Sequence, residues 1–112
     1  MNVVLPKYSV IIPVYNRPQE VRELLESLSV QQRKEFETII VEDGSTIRCE
    51  DICKEFSGKM ETVYLYKENG GPASARNFGA EWARGEWLLF FDSDCIIPDK
   101  YFEYVSAELA EK

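Results

Sequence analysis

At 112 residues the chain is long enough for one domain and too short for two cores, with roughly two-thirds of its unfolded surface available for burial. Apolar residues make up 45% and charged residues 29%, which excludes a disordered or low-complexity class. A net charge of −7 argues against nucleic acid, whose phosphates need a basic surface, and makes a bound divalent cation easier to accept.

The chain alternates strand and helix patterns from its start. Residues 8–12 read as a strand, and Asn16-Arg17-Pro18 then opens a helix with proline at an early position. Val21, Leu24, Leu25 and Leu28 follow at i, i+3, i+4 and i+7, which makes one apolar helical stripe. A short β-branched strand at 37–41 runs into Glu42-Asp43-Gly44-Ser45-Thr46, a polar turn suited to cap a helix around 52–56. A third strand covers 62–66. Asn69-Gly70-Gly71-Pro72 then breaks the chain before a third helix at 73–83, closed by Gly85. The unbroken apolar run 87–91 predicts a central strand buried on both faces, and 99–111 predicts a final amphipathic helix. The order βαβαβαβα implies a three-layer, Rossmann-like α/β fold with a mostly parallel sheet.

Residues 1–7 carry no basic stretch followed by an apolar core, so no signal peptide is expected, and the apolar runs are too short to cross a bilayer. Cys49, Cys53 and Cys95 form no Cys-x-x-Cys pair, and the chain has no histidine. They read as free, packing thiols in a reducing cytoplasm.

In parallel α/β sheets, ligands bind beyond the carboxyl ends of the strands. Four loops of unusual composition lie at such ends. After the first strand, Pro13-Val14-Tyr15 is either a plain strand exit or a wall and ring for a flat base. Asp43 is either a turn residue or an acceptor for a base N–H. Gly71 and Arg76 flank a helix N-terminus that favours anions, with a salt bridge from Arg76 to Asp92 as the alternative. In Asp92-Ser93-Asp94, an extended backbone would let the two carboxylates converge while Ser93 faces elsewhere. Such a pair suits Mg²⁺ or Mn²⁺, although a helix cap is the competing reading.

Taken in order, Val10-Ile-Ile-Pro-Val-Tyr-Asn16, Ile40-Val-Glu-Asp-Gly-Ser-Thr46, Asn69-Gly-Gly-Pro-Ala-Ser-Ala-Arg-Asn77 and Leu89-Phe-Phe-Asp-Ser-Asp94 resemble the family 2 glycosyltransferases of the GT-A fold. The set spans nearly the whole chain. Two positions depart from the common pattern: Glu42, where members usually carry aspartate, and Ile47, where another acid is frequent.

The resemblance implies that Pro13, Val14 and Tyr15 line the nucleoside pocket and that Asp43 binds the base. Gly71, Arg76 and Ser93 would lie near the nucleotide, Asp92 near the ribose or metal, and Asp94 would be the metal ligand. The implied reaction moves a sugar from a nucleotide diphosphate sugar, expected to be a UDP-sugar, to an acceptor hydroxyl with inversion and a divalent cation, Mn²⁺ or Mg²⁺. The acceptor would be a glycan or lipid-linked glycan, as in polysaccharide biosynthesis. By the same resemblance residues 1–112 form a truncated domain that holds the donor, with the general base and the acceptor-binding half downstream of Lys112. Self-association through apolar surface left near 87–91 is a further expectation. So is a cytoplasmic location, with the longer enzyme at a membrane. A non-enzymatic nucleotide-binding module and a sugar nucleotidyltransferase are the alternatives. A dinucleotide-dependent oxidoreductase would want Gly-x-Gly-x-x-Gly after the first strand, where Pro13-Val-Tyr-Asn-Arg-Pro18 stands.

Overall fold

The computed structural model describes residues 5–110; the start of the chain at 1–4 and the expected helix end at Glu111 lie outside them. Four parallel strands form one sheet in the order β3-β2-β1-β4. They are β1 (Tyr8–Val14), β2 (Phe36–Asp43), β3 (Glu61–Lys67) and β4 (Trp87–Phe90). Strands β1 and β2 are central, in register from Tyr8↔Phe36 to Val14↔Glu42. Both bury their two faces, because successive residues feed two different apolar layers. Val10, Ile12, Val14 and Ile40 enter the larger layer, while Ile11, Ile39 and Val41 enter the smaller one.

Helices cover both faces. The larger layer receives Val21, Leu24, Leu25 and Leu28 from α1 (Pro18–Ser29), all fully buried as the apolar stripe predicts. It also receives Cys53 and Phe56 from α2 (Glu50–Phe56) and Phe102 from α4 (Tyr101–Ala110). The Phe102 ring stacks on Phe36 at 4.3 Å between centroids, which fixes α4 against the foot of β2. On the opposite face α3 (Pro72–Trp82) supplies Ala75, with Phe78 and Ala80 beside it. Three layers result, as the element order implies.

Two expectations fail here. Strand β4 is an edge strand, bonded to β1 on one side only, and Trp87, Leu88 and Phe90 remain 42%, 41% and 46% exposed. Leu89 and Phe91 of the apolar run pack against the larger layer, but no described element covers Trp87, Leu88 and Phe90. Gly85 does not cap α3 in a left-handed turn; Ala83 ends that helix in an extended conformation. Glycine is needed at 85 for a close approach, since a Cβ there would lie 2.6 Å from Ser9 Oγ and 2.7 Å from Ser9 N.

The cysteines are free, with Cys49 and Cys53 buried and Cys95 half-buried. The two buried sulfurs lie 3.9 Å apart. The Cys53 thiol, burial and the nearby Glu42 carboxylate together push the Cys49 thiol up, so it stays protonated and unreactive. An aromatic disulfide reagent should therefore titrate about one thiol per native chain and all three in denaturant. Rapid reaction of all three in the native state would contradict this packing. No helix among the described residues is long and apolar enough to cross a membrane.

Candidate functional site

The carboxyl ends of β1, β2 and β4 and the N-terminus of α3 surround a cavity of about 400 Å³. Pro13, Val14, Tyr15, Asp43, Asn69, Gly71, Pro72, Asp92 and Ser93 line it. A second cavity of about 520 Å³, lined by residues that include Arg76, Asn77 and Phe90, shares Asp92 as a wall with the first.

Strand periodicity divides the acidic pair at the end of β2. Neighbouring residues of a strand face opposite sides of the sheet. Glu42 turns toward the α2 face, fully buried, and accepts hydrogen bonds from Ser45 Oγ at 2.5 Å, Cys49 N at 2.8 Å and the Tyr64 hydroxyl at 2.9 Å. The expected capping of α2 by this turn is thus performed by Glu42, which takes the N–H of the residue that opens the helix. Burial and the Glu42 carboxylate push the Tyr64 hydroxyl up, so it stays a donor.

Asp43 turns toward the cavity and is 4% exposed. Its Oδ1 accepts Gly70 N at 2.9 Å and Lys67 Nζ at 3.0 Å, and its Oδ2 accepts Gly71 N at 3.0 Å. Asn69 Nδ2 donates to the Asp43 carbonyl at 2.9 Å and approaches Oδ2 at 3.5 Å. Burial alone would push this carboxyl up, but the bonds from Gly70, Lys67 and Gly71 outweigh it and hold it below the ordinary aspartate range. Asp43 is therefore the clasp of the loop that leads into α3. Gly71, with φ 96°, occupies the cap of that helix, a conformation that favours glycine. Gly44, with φ 75°, meets the same loop so closely that a Cβ would lie 2.6 Å from Asn69 N.

A matching clasp joins the ends of β1 and β2. Asn16 adopts a left-handed backbone, φ 52°, which asparagine tolerates better than most residues. Its Oδ1 accepts Thr46 N and Ile47 N at 2.9 Å each, while its own N–H donates to Ser45 Oγ at 2.8 Å. Tyr15, just before it, is 53% exposed at the cavity rim.

The Asp92-Ser93-Asp94 segment is not extended. It forms a turn over 92–95 closed by Cys95 N donating to Asp92 O at 3.1 Å. The alternation of an extended backbone does not apply, so Ser93 lines the cavity with Asp92 while Asp94 is exposed in the turn and outside the lining. The two carboxylates are exposed rather than buried at a strand end. The segment after the turn is tied to α1: Ile97 N donates to Ser27 Oγ, and Gln31 bonds Pro98 O and Tyr101 N. Arg76, half-buried, makes no ion pair among the described residues, so the salt bridge to Asp92 is not formed.

Residues 9–112 match the family model described as Glycosyl transferase family 2. The chain belongs to that family. Glycosyltransferase GlyA of Streptococcus pneumoniae serotype 4 is 39% identical over 106 residues, which covers 94% of this chain and 15% of GlyA. S. aureus TarS 1–349, solved in complex with UDP-GlcNAc, superposes with a TM-score of 0.87 at 36% identity, covering 94% of this chain and 31% of TarS. The mannosyltransferase PcManGT from Pyrobaculum calidifontis, solved with GDP-Man and Mn²⁺, gives a TM-score of 0.76 at 25% identity over 84% of this chain and 29% of its own. The chain thus spans less than a third of each of these relatives. Over that span its sheet and four helices are the Rossmann-like GT-A fold of TarS.

In this family 2 chain Asp92 and Asp94 offer hard oxygen donors of the kind Mg²⁺ and Mn²⁺ prefer. Among the described residues no three His, Cys, Asp or Glu side chains come together as a preformed cation cluster. A cation held by this pair would complete its coordination with water or with phosphate oxygens, as Mg²⁺ commonly does. Both carboxylates stand on an exposed turn open to such ligands, so the donor set fits.

Proposed function

We propose that this chain holds the donor of an inverting glycosyltransferase, binding a nucleotide diphosphate sugar, specifically a UDP-sugar, for transfer to an acceptor hydroxyl of a glycan or lipid-linked glycan. The observation that carries this reading is the cavity beyond β1, β2 and β4, where Tyr15, Asp43, Gly71 and Asp92 meet at one helix N-terminus. The complex of TarS with UDP-GlcNAc supports it.

The proposed roles follow from chemistry. Tyr15 and Pro13-Val14 form the wall against which the uracil lies, and Asp43 accepts its N3–H. Asp92 and Ser93 meet the ribose side of the nucleotide. The free N–H groups at the start of α3 and the guanidinium of Arg76 offset the diphosphate charge. Asp94 with Asp92 would hold a divalent cation, which when bound would further neutralise the departing diphosphate. The acceptor oxygen attacks the anomeric carbon as the bond to the diphosphate oxygen breaks, and that oxygen keeps the electron pair. The group that takes the acceptor's proton is not assigned to any residue of this chain.

Calorimetric titration with UDP tests the reading. Binding should be measurable with Mn²⁺ and should fall by about tenfold or more with excess chelator, because the uncompensated carboxylates then face a diphosphate. Asp94→Asn should mimic the chelator more closely than Asp92→Asn. Equal affinity with Mn²⁺ and with chelator would remove the cation from the proposal, and no UDP binding under either condition would defeat the donor-site reading itself.

A further inference from the structure

Lys67 occupies an unusual place for a lysine at a strand end. Its side chain is only 16% exposed, and its ammonium reaches past the rim of the sheet to Asp43 Oδ1 and the Glu68 carbonyl. A carboxylate offers about four lone-pair directions, two on each oxygen. Lys67 Nζ and Gly70 N take both on Oδ1. Gly71 N takes one on Oδ2, and the 3.5 Å approach of Asn69 Nδ2 is long enough to yield to a better donor. One acceptor position therefore remains, and it belongs to Oδ2.

The edges of the bases differ in what they ask of such a carboxylate. Uracil and thymine present a single N–H, at N3, between two carbonyl groups. Guanine presents two parallel donors, N1–H and the 2-amino group, which a free carboxylate accepts with both oxygens at once. Cytosine presents an acceptor at N3 and has nothing to offer Oδ2 there. We propose that Lys67 is the specificity-determining residue for the base: by filling Oδ1 it reduces Asp43 to a one-acceptor reader that takes uracil or thymine and turns guanine away. This rests on the UDP-sugar reading of the cavity. The rejection is of the kind that buried polar groups give, because the second guanine donor would find Oδ1 already taken by Lys67 and Gly70 and be left without an acceptor. The GDP-Man complex of PcManGT indicates that guanine donors do occur on this fold, so a device against them has something to exclude.

The same contact sets a pH signature. The titratable groups that line the cavity with Asp43 are Tyr15 after β1 and Asp92 after β4; Arg76 on α3 and Cys95 line the adjoining cavity, and Lys67 on β3 touches Asp43 from outside both linings. Of these, Lys67 is the cation in direct contact with Asp43. An ionised Asp43 is the form that accepts the base N–H. That contribution is present above its pKa and is lost as the pH falls through it. Lys67 helps to hold that pKa low. Without Lys67 the loss should begin at a higher pH.

The test measures UDP and GDP affinities with Mn²⁺ for the unsubstituted chain and for Lys67→Met, over a range of pH, with circular dichroism to confirm folding. The unsubstituted chain should prefer UDP by about ten- to a hundred-fold. Lys67→Met frees one direction on Oδ1 and should narrow that ratio by about tenfold. It should also move the acid limb of UDP binding upward, a shift that a purely structural role would not produce. Lys67→Arg keeps a cationic donor and should retain both ratio and profile; Lys67→Gln serves as the neutral variant if Lys67→Met does not fold. A folded Lys67→Met or Lys67→Gln chain with the original UDP/GDP ratio overturns this inference alone. Absence of UDP binding to the unsubstituted chain defeats the functional reading and this inference with it.

Discussion

Glu42→Ala should destabilise the chain by on the order of 3–5 kcal/mol, read as a fall in the urea midpoint at constant slope. The carboxylate is fully buried and gathers three donors from three places: Ser45 in the turn after β2, Cys49 N at the head of α2 and the Tyr64 hydroxyl on β3. Alanine leaves all three without a partner in a layer packed with Cys53 and Ile52. Each unsatisfied buried donor costs about 1–3 kcal/mol, and the backbone N–H cannot rotate away as a hydroxyl can. Tyr64→Phe removes one donor together with its need for an acceptor, so it should cost only about 1 kcal/mol. Glu42→Asp, the residue usual in the family pattern, is one methylene shorter and should fall between the two. A Glu42→Ala chain within about 1 kcal/mol of the original would mean that the three donors find water or other partners.

Much of this architecture was legible in the sequence because it is written in local periods. The stripe Val21, Leu24, Leu25 and Leu28 and the β-branched run in β2 each report their own buried faces. Period two would also have separated Glu42 from Asp43, one to each side of the sheet. Reading the pair as one polar turn concealed that Glu42 is an internal strut. What escaped falls into three physical kinds. The first is the origin of a cover: residues 87–91 demand burial, but an apolar run cannot say which element supplies it, and β4 stands at the edge. The second is contact across long sequence separations. Asn16 grips Thr46 and Ile47, and Lys67 grips Asp43, across 24 to 31 positions. No local pattern marks Lys67, which lies one residue beyond the expected strand and looks like any solvated lysine. The turn at 92–95 is of a third sort. Strand alternation ends with the strand, and the irregular backbone of the turn changes which side chains face the cavity.

Asp43→Asn should lower the affinity for every nucleoside diphosphate and should lower it most for UDP. The general loss follows from the clasp. Lys67 Nζ, Gly70 N and Gly71 N all donate to the carboxylate, and an amide must turn its NH₂ toward at least one of them. Donor then faces donor, the loop over 69–71 loosens, and the head of α3 is no longer held at the cavity. The selective loss follows from the base. A charge-assisted bond from uracil N3–H contributes roughly 1.5–3 kcal/mol net, or about ten- to a hundred-fold in affinity. Cytosine never had that bond and has nothing there to lose, so the preference for UDP over CDP should narrow. Thymidine diphosphate, which keeps the N3–H, should follow UDP. Gly71→Ala separates the two effects, since a side chain at φ 96° strains the same loop while leaving the carboxylate in place. It should weaken UDP and CDP by similar factors. If Asp43→Asn also weakens both equally, then Asp43 ties the loop and nothing more, and the base is read by another residue of the cavity.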